Sequence, residues 1–260
     1  MNKRMKIAIS VLLAAVALVF IVFLASVIIA EMDFKKSLPN PDEATEMYLH
    51  LYTDGTYLFV DDDKNDVVVP CITSNYGTFL ASCGSSINNM VLPNLDEQYI
   101  QLLSSMQKYA TIERIFLPTK ATKEFKDKIL ALYPECELVD ASKGDKLVSG
   151  QYVLRFYSSS EEGCLHLTHG YSTFLVGGAG KIGALKGDDI TVALLPDEAL
   201  LGSGINATYA VTEGDVNTAG TYGEVAMNVA SRPSYNAFCL STGDTVLFDF
   251  GFEVTGKLAQ

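Results

Sequence analysis

Hydrophobic and polar positions follow three successive patterns: an unbroken apolar run, a region that alternates strand and helix spacing, and a region of strand spacing alone. The apolar run covers residues 7–30 and contains no charge. As a helix rising about 1.5 Å per residue it would be roughly 36 Å long, enough to cross a hydrocarbon core of about 30 Å. A cleaved signal peptide fits less well, because its shorter apolar region ends in small residues and this chain has Ile28 there. The run therefore predicts one uncleaved transmembrane helix.

The second pattern predicts strands that alternate with helices. It opens with two apolar runs around Asp54-Gly55, the strongest short-range signal for a β-hairpin. Residues 95–110 and 122–133 carry apolar side chains at helical spacing, and a short apolar strand run follows each of them. The predicted strands are residues 47–52, 57–60, 67–72, 112–117 and 136–139, with a further strand that begins at residue 78. This order predicts strands covered by helices.

The third pattern, from Gly150 onward, predicts antiparallel β-structure. Its strands are expected at residues 151–157, 164–168, 172–176, 190–195, 207–211, 236–240 and 245–250. Together the second and third regions predict two sheets packed face to face with helices outside. The expected fold class is therefore α/β, in one domain preceded by a transmembrane helix.

Positive charges near the amino terminus predict the membrane topology. Lys3, Arg4 and Lys6 precede the apolar run, so the positive-inside rule places the amino terminus in the cytoplasm, although Lys35 and Lys36 reduce the asymmetry. The predicted organisation is a cytoplasmic tail, a transmembrane helix, a linker and an extracytoplasmic domain. These parts cover residues 1–6, 7–30, 31–45 and 46–260.

The rest of the chain is strongly acidic. Removing the three amino-terminal basic residues changes the formal net charge from −12 to −15. Proteins that bind phosphate backbones use basic stripes to release counterions, so nucleic acid is not an expected partner. The expected partners are the membrane, through the apolar helix, and an unidentified protein or small molecule.

Five cysteines, an odd number without a Cys-x-x-Cys pair, argue against a zinc ribbon and against a dense disulfide framework. Most of them lie in apolar, strand-like runs. We interpret them as buried thiols, with one disulfide as the alternative in an oxidising compartment. They are Cys71, Cys83, Cys136, Cys164 and Cys239.

Four short motifs have simpler explanations than the chemistry they suggest. His166 and His169 are three residues apart, which on a strand directs them to opposite faces rather than to one zinc ion. Residues 178–183 match the glycine pattern of dinucleotide sites, but the next segment is too short for a crossover helix. Residues 105–108 match Ser-x-x-Lys without the Lys-Thr-Gly element of acyl enzymes. Residues 61–66 lack the glycine and glutamate of an EF-hand loop, so a solvated acidic turn is favoured over a calcium site.

Residues 78–89 form the stretch around which the domain is organised. They predict a buried strand and a small-residue turn, followed past Pro93 by a helix. In α/β proteins such a turn gathers ligands and catalytic groups. Here it contains no carboxylate, histidine or lysine.

The order of these elements resembles the metallo-β-lactamase fold, and specifically the extracytoplasmic domain of ComEC-type competence proteins, which are involved in DNA uptake. The resemblance covers most of residues 47–256, and the order of its short segments carries it. Those segments are Tyr57-Leu58-Phe59-Val60-Asp61, Val67-Val68-Val69-Pro70, Ile115-Phe116-Leu117-Pro118, Lys143-Gly144-Asp145-Lys146-Leu147, Thr173-Phe174-Leu175-Val176-Gly177-Gly178 and Ser241-Thr242-Gly243-Asp244-Thr245-Val246. It implies an αββα four-layer sandwich of two mixed sheets.

The resemblance also implies a metal site whose ligands this sequence lacks. The family's ligands follow a strand as His-x-His-x-Asp-His, because two close divalent ions need imidazoles and a carboxylate on one turn. Aligning Ile87-Asn88-Asn89 on the family's Ile-Gly-Gly puts small or neutral residues at these positions, and the bridging aspartate falls near Gly178 or Ala179. We therefore expect no catalytic, cofactor-binding or metal-binding residue, and a vestigial pocket at the lost-ligand positions. These are Ala81, Cys83, Ser85, Ser86 and Ala179.

The favoured function is a membrane-anchored, extracytoplasmic, non-catalytic binding or scaffold module. One alternative is a hydrolase of the same fold with an unorthodox metal set drawn from Cys83, His166, His169 and residues 61–66. Another is an unrelated α/β surface domain with an accidental resemblance. A single predicted spanning helix and an acidic domain favour an auxiliary role if the protein acts near DNA-uptake machinery.

Overall fold

A computed structural model describes most of the chain, which divides into two units, Met1–Leu38 and Pro39–Gln260. The first unit is formed by helix α1 (Lys3–Ser37). Its side chains from residue 11 to 33 are all exposed, and it is long and apolar enough to cross a membrane. Residues 31–37, expected in the linker, continue this helix. The described residues are 3–51, 56–61, 66–70, 72, 86–118, 121–141, 146–159, 162–177, 189–195, 206–212, 221–228, 237–241, 246–249 and 257–258.

The second unit is built mainly of strands. Its described helices are a 3-10 turn (Pro41–Glu43), α2 (Gln98–Met106) and α3 (Lys123–Leu132). Its described strands are β1 (Met47–Leu51), β2 (Tyr57–Asp61), β3 (Val67–Val69), β4 (Ser86–Val91), β5 (Thr111–Pro118), β6 (Glu137–Ala141), β7 (Lys146–Ser149), β8 (Tyr152–Ser159), β9 (Glu162–His169), β10 (Ser172–Val176), β11 (Asp189–Leu195), β12 (Asn206–Thr212), β13 (Thr221–Asn228), β14 (Ala237–Ser241), β15 (Val246–Asp249) and β16 (Lys257–Leu258).

These strands form two mixed sheets, as expected. The first has the order β15-β14-β1-β2-β3-β4-β5-β6, in which β3 to β6 are parallel. The second has the order β16-β13-β12-β11-β10-β9-β8-β7, in which β10 to β13 are parallel. The prediction that everything after Gly150 is antiparallel is therefore wrong for β10 to β13. Pairing direction depends on the connections between strands, and the apolar residues within a strand do not encode it.

The two sheets pack face to face through alternate side chains of their strands. Phe59 of the first sheet meets Phe174 of the second edge to face, with ring centroids 5.8 Å apart. Phe116 stacks on Phe156 across the same interface, with centroids 5.0 Å apart and an angle of 21° between the rings. Burying one such ring stabilises the fold by about 1.5–3 kcal/mol relative to leaving it exposed. Aromatic pairs therefore join the two sheets at two places.

Helices α2 and α3 cover the outer face of the first sheet. Their buried residues, which include Leu103 and Ile129, pack with Ile115 of β5 in a second core. The side chain of Thr122 caps α3 by accepting a hydrogen bond from the Phe125 amide at 3.2 Å. The apolar repeat had predicted this helix, and the threonine cap shows why it begins at Lys123.

The outer face of the second sheet is also buried. His166, Leu175 and Ala193 alternate with the residues that face the first sheet, and all three are buried. This burial and the helices on the first sheet agree with the predicted α/β sandwich.

Strand β4 corrects the expected position of the organising turn. Residues 86–89 were predicted as part of a small-residue turn, but they form the first four residues of β4. Asparagine is uncommon in a buried strand. The buried side chain of Asn89 is satisfied here because it donates a hydrogen bond to Ser149 Oγ of β7 at 3.0 Å. The connection between strand and helix is therefore residues 92–97, before α2.

Candidate functional site

The carboxyl ends of parallel strands are where α/β proteins usually place a binding site. In the first sheet the connection between β4 and α2, residues 92–97, lies at this end, beside the ends of β3 and β5. It is fixed there because the Leu92 amide donates to Phe116 O at 3.0 Å. Its sequence, Leu-Pro-Asn-Leu-Asp-Glu, contains no histidine or cysteine.

Two polar side chains of this connection accept hydrogen bonds from backbone amides that lead into α2. Asn94 Oδ1 accepts a hydrogen bond from the Asp96 amide at 2.9 Å. Asp96 Oδ1 accepts in turn from the Gln98 amide at 2.8 Å. The first amides of a helix have no partner within the helix, and side-chain oxygens of this kind satisfy them. Both side chains therefore have a structural role.

The first turns of α2 are held to the rest of the sheet end. The Tyr99 side chain is buried, and its hydroxyl donates to Pro70 O, just past β3, at 3.4 Å. On the solvent side Glu97 Oε1 lies 2.8 Å from Lys128 Nζ of α3. The hydrogen bonds that Lys128 donates to the Glu97 and Glu124 carboxylates raise its pKa. The start of α2 is therefore held both to the end of β3 and to α3.

The predicted vestigial pocket is only partly described. Ser86 is the exposed first residue of β4, at the opposite end of that strand from residues 92–97. Ala81, Cys83, Ser85 and Ala179 lie outside the described residues, as do residues 178–183 with the glycine motif. Gly177, the residue after β10, has a φ of 103° and donates its N–H to Leu194 O at 3.0 Å. Convergence of the five positions stays a prediction.

Buried polar side chains meet between the sheets, away from this loop. Asn89 of β4 donates both to Ser149 Oγ of β7 at 3.0 Å and to Asp66 O at 3.3 Å. Arg114 of β5 donates to the same Ser149 Oγ at 3.4 Å. Asp66 and Asp61 are both buried, so the ends of the aspartate-rich segment are not the solvated turn that we expected. Residues 62–65 of that segment lie outside the described residues.

Electrostatic interactions link two further residues, Tyr152 and His169, to this buried group. Burial lowers the pKa of His169, and the neighbouring Asp61 carboxylate partly opposes that effect. Burial also raises the pKa of Tyr152, and the negative charges of Asp61 and Asp66 raise it further. The rings of Tyr152 and His169 lie with their centroids 6.0 Å apart. Both groups are therefore favoured in their neutral forms between the sheets.

The described residues do not fit a two-metal centre. His169 faces the first sheet beside Tyr152, whereas His166 is on the other face of β9, as the spacing predicted. His50 belongs to β1 of the first sheet. Among the residues that the structure describes, no three histidine, cysteine, aspartate or glutamate side chains converge as metal ligands would.

The Ser-x-x-Lys motif and Cys136 both have structural environments. Ser105 of the Ser-x-x-Lys motif is exposed on α2, and its hydroxyl donates to Gln101 O at 3.0 Å. Cys136 is a buried free thiol whose pKa burial raises to about 11. A thiol with that pKa stays protonated at neutral pH and is a poor nucleophile. The interpretation as a buried thiol is confirmed for Cys136.

Sequence reasoning missed the buried polar residues. Asn89 and Ser149 resemble turn residues, and Tyr152 resembles an ordinary apolar strand residue. Arg114 offered a signal, because it occupies the same strand face as the inward Phe116 two residues later. A charged residue at an inward position predicts a buried polar contact.

Solved structures identify the architecture. The metallo-β-lactamase fold protein YhfI from Bacillus subtilis is similar over 68% of this chain and 87% of its own, with 11% identity and a TM-score of 0.50. The diiron β-hydroxylase CmlA from Streptomyces venezuelae is similar over 60% of this chain and 35% of its own, with 6% identity and a TM-score of 0.45. No protein-family model matches the sequence, and no curated protein is significantly similar to it. At these identities the likeness shows the fold alone, and the second unit has a metallo-β-lactamase fold.

Proposed function

We propose that this protein is a membrane-anchored binding module whose metallo-β-lactamase-fold domain lies outside the cytoplasm and does not hydrolyse its ligand. The observation that carries the proposal is the β4–α2 connection, residues 92–97. In the family resemblance, the turn between a strand and a helix supplies the metal ligands. Here that turn supplies the cap of α2.

The chemistry of the turn supports this proposal. A dinuclear site needs several imidazoles and a carboxylate on one turn, and residues 92–97 contain no imidazole. Asp96 has a carboxylate, but one of its oxygens already accepts the Gln98 amide at 2.8 Å. Aligning the family's turn on Ala81 to Ser86 instead also gives a segment without histidine. Both placements leave the metals without their ligands.

The alternative, a hydrolase with an unorthodox metal set, has less support from the described residues. His169 is buried between the sheets, near Asp61, whereas His166 is on the outer face of the second sheet. One ion cannot bind both imidazoles without breaking β9. The finer resemblance to ComEC-type proteins stays a proposal, in which the protein would assist DNA uptake without transporting DNA.

The membrane part of the proposal rests on α1. The apolar run of this helix, residues 7–30, is exposed from residue 11 onward, and Lys3, Arg4 and Lys6 precede that run. We propose that it spans the membrane with its amino terminus in the cytoplasm. Alkaline phosphatase fused after Gln260 should be active in cells, because that enzyme is active only outside the cytoplasm. A fusion that is inactive while a fluorescent-protein fusion is bright would reverse the topology.

Metal analysis of the purified full chain tests the absence of hydrolysis. The detergent-solubilised protein is incubated with zinc, manganese or iron, desalted and assayed with nitrocefin and with a nitrophenyl phosphodiester. We expect substoichiometric metal and no turnover above that of the chelator-treated protein. Stoichiometric metal together with chelator-sensitive turnover would show that the protein is a hydrolase.

A further inference from the structure

A groove runs along the side of the sandwich, between β6 and β7, the last strand of each sheet. Its volume is about 260 Å³, just below the range of about 300–1,000 Å³ usual for sites of drug-sized ligands. The groove extends along β6 from Glu137 to Ala141 and is separate from the loop at residues 92–97. A ligand that fits it must be small.

The inner wall of this groove is apolar. Phe116 from the first sheet and Phe156 from the second both line it, and they are the stacked pair whose centroids lie 5.0 Å apart. Val139 and Leu147 line its two sides and are only partly buried, although both pack against the core. An apolar ligand body would remove these two side chains from water, which is favourable.

The polar feature of the groove is the guanidinium of Arg114. Its side chain is 21% exposed, and its buried Nε–H finds no hydrogen-bond acceptor among the described residues, lying 3.9 Å from the exposed Glu113 carboxylate. Within the described part of the chain, its one side-chain hydrogen bond is the long contact of 3.4 Å to Ser149 Oγ. A buried donor without an acceptor is unfavourable, and a ligand oxygen would remove that cost. Arg114 is therefore suited to pair with an anion.

The charges of the groove agree with an anionic ligand. Arg114 and Lys146 line it against one carboxylate, Glu137, in a chain whose formal net charge is −12. Glu137 is exposed and forms no ion pair with Arg114, whose carboxylate neighbour is Glu113. A planar guanidinium binds a carboxylate with two parallel hydrogen bonds, so a carboxylate matches this donor in shape and in charge.

We propose that the groove between β6 and β7 binds a small monocarboxylate with an apolar, aromatic body. The carboxylate pairs with Arg114, and the body lies against the Phe116–Phe156 pair between Val139 and Leu147. This inference goes beyond the proposed function, because it concerns the side of the sandwich. It holds whether or not the domain hydrolyses anything.

Hydrocinnamate, a small water-soluble aromatic carboxylate, is the probe. Its binding to the full chain in detergent is followed by titration calorimetry, with empty micelles as the blank. Hydrocinnamamide tests the contribution of the carboxylate, because it has the same aromatic body without the charge. Propanoate tests the contribution of the aromatic ring, because it has the carboxylate without the ring. We expect saturable binding with one site per chain, and binding at least about tenfold weaker for both comparison compounds.

Three variants tie the binding to this groove. Arg114→Gln should weaken hydrocinnamate about tenfold, because it removes the charge-assisted pair. Arg155→Gln is the matched control, since Arg155 is also half-buried with a partnerless Nε but does not line the groove. It should leave the affinity unchanged. Leu147→Trp keeps Arg114 and fills the groove, so it should abolish binding even if Arg114→Gln fails to fold.

Two results would overturn the inference. One is binding no stronger than that of empty micelles. The other is binding that hydrocinnamamide shares or that a folded Leu147→Trp variant retains. The metal and turnover assays on the same preparation report separately on the proposed function.

Discussion

Substitutions of Asp96 can distinguish a helix cap from a metal ligand, because the two roles require different chemical groups in the side chain. A cap needs one oxygen, and asparagine provides it as well as aspartate does. A bridging ligand needs a charged carboxylate. Replacing Asp96 by asparagine or by alanine therefore separates the two interpretations.

The expected magnitudes follow from the contacts of Asp96. Alanine removes the hydrogen bond of 2.8 Å from the Gln98 amide, and losing an N-cap of this kind costs about 0.5–2 kcal/mol. Asparagine keeps that bond and loses only the favourable charge at the helix amino terminus, about 0.3–1 kcal/mol for an exposed group. We expect Asp96→Ala to destabilise the domain by about 1 kcal/mol more than Asp96→Asn, which is roughly 2–4 °C in Tm for a domain of this size.

Tyrosine fluorescence during urea unfolding measures this difference. The chain has 13 tyrosines and no tryptophan, and none of the tyrosines lies in α1. The signal therefore reports on the second unit even in detergent micelles. Equal destabilisation by the two substitutions would refute the capping argument. So would an Asp96→Asn variant that keeps its stability while losing bound metal and turnover.

Three further predictions concern the buried residues. Burial lowers the pKa values of His50 and His169 below 6.5, so the unfolded chain binds more protons as pH falls below about 6.5 and the free energy of unfolding should decrease there. Replacing both by glutamine should flatten that pH dependence, and an unchanged slope would contradict it. Tyr152 is fully buried and its hydroxyl has no hydrogen-bond partner among the residues that the structure describes, so Tyr152→Phe should be neutral or stabilising in urea unfolding, and a loss of more than about 1 kcal/mol would contradict this. Phe174→Ala removes the ring that meets Phe59 and should cost about 3–5 kcal/mol, whereas a cost under about 1 kcal/mol would mean that the cavity collapses.

Local signals predicted much of the first sheet. The hairpin of β1 and β2 followed from the Asp54-Gly55 turn between apolar runs, although the turn itself lies outside the described residues. Helix α3 followed from its apolar repeat at helical spacing. In both cases neighbouring residues carry the information, so no knowledge of distant contacts was needed.

The candidate site was less predictable because its elements depend on distant partners. Asn89 is a strand residue because Ser149 and the Asp66 carbonyl accept its side-chain hydrogen bonds, and neither lies near it in sequence. The strand-to-helix connection is residues 92–97, beyond the small-residue turn that was expected within residues 78–89. The groove beside Arg114 depends on two strands from different sheets, so no single segment predicts it.

The pairing of β1 with β14 has a consequence for how the domain is made. Met47, near the start of the second unit, pairs with Ser241, near its end. Strand β1 can therefore pair with β14 only after the ribosome has synthesised residues 237–241. Until then β1 exposes unpaired backbone groups on one side, and such an edge recruits strands from other molecules. A premature stop codon anywhere between β13 and β14 would leave that edge permanently open. We expect such truncated chains to aggregate or to be degraded.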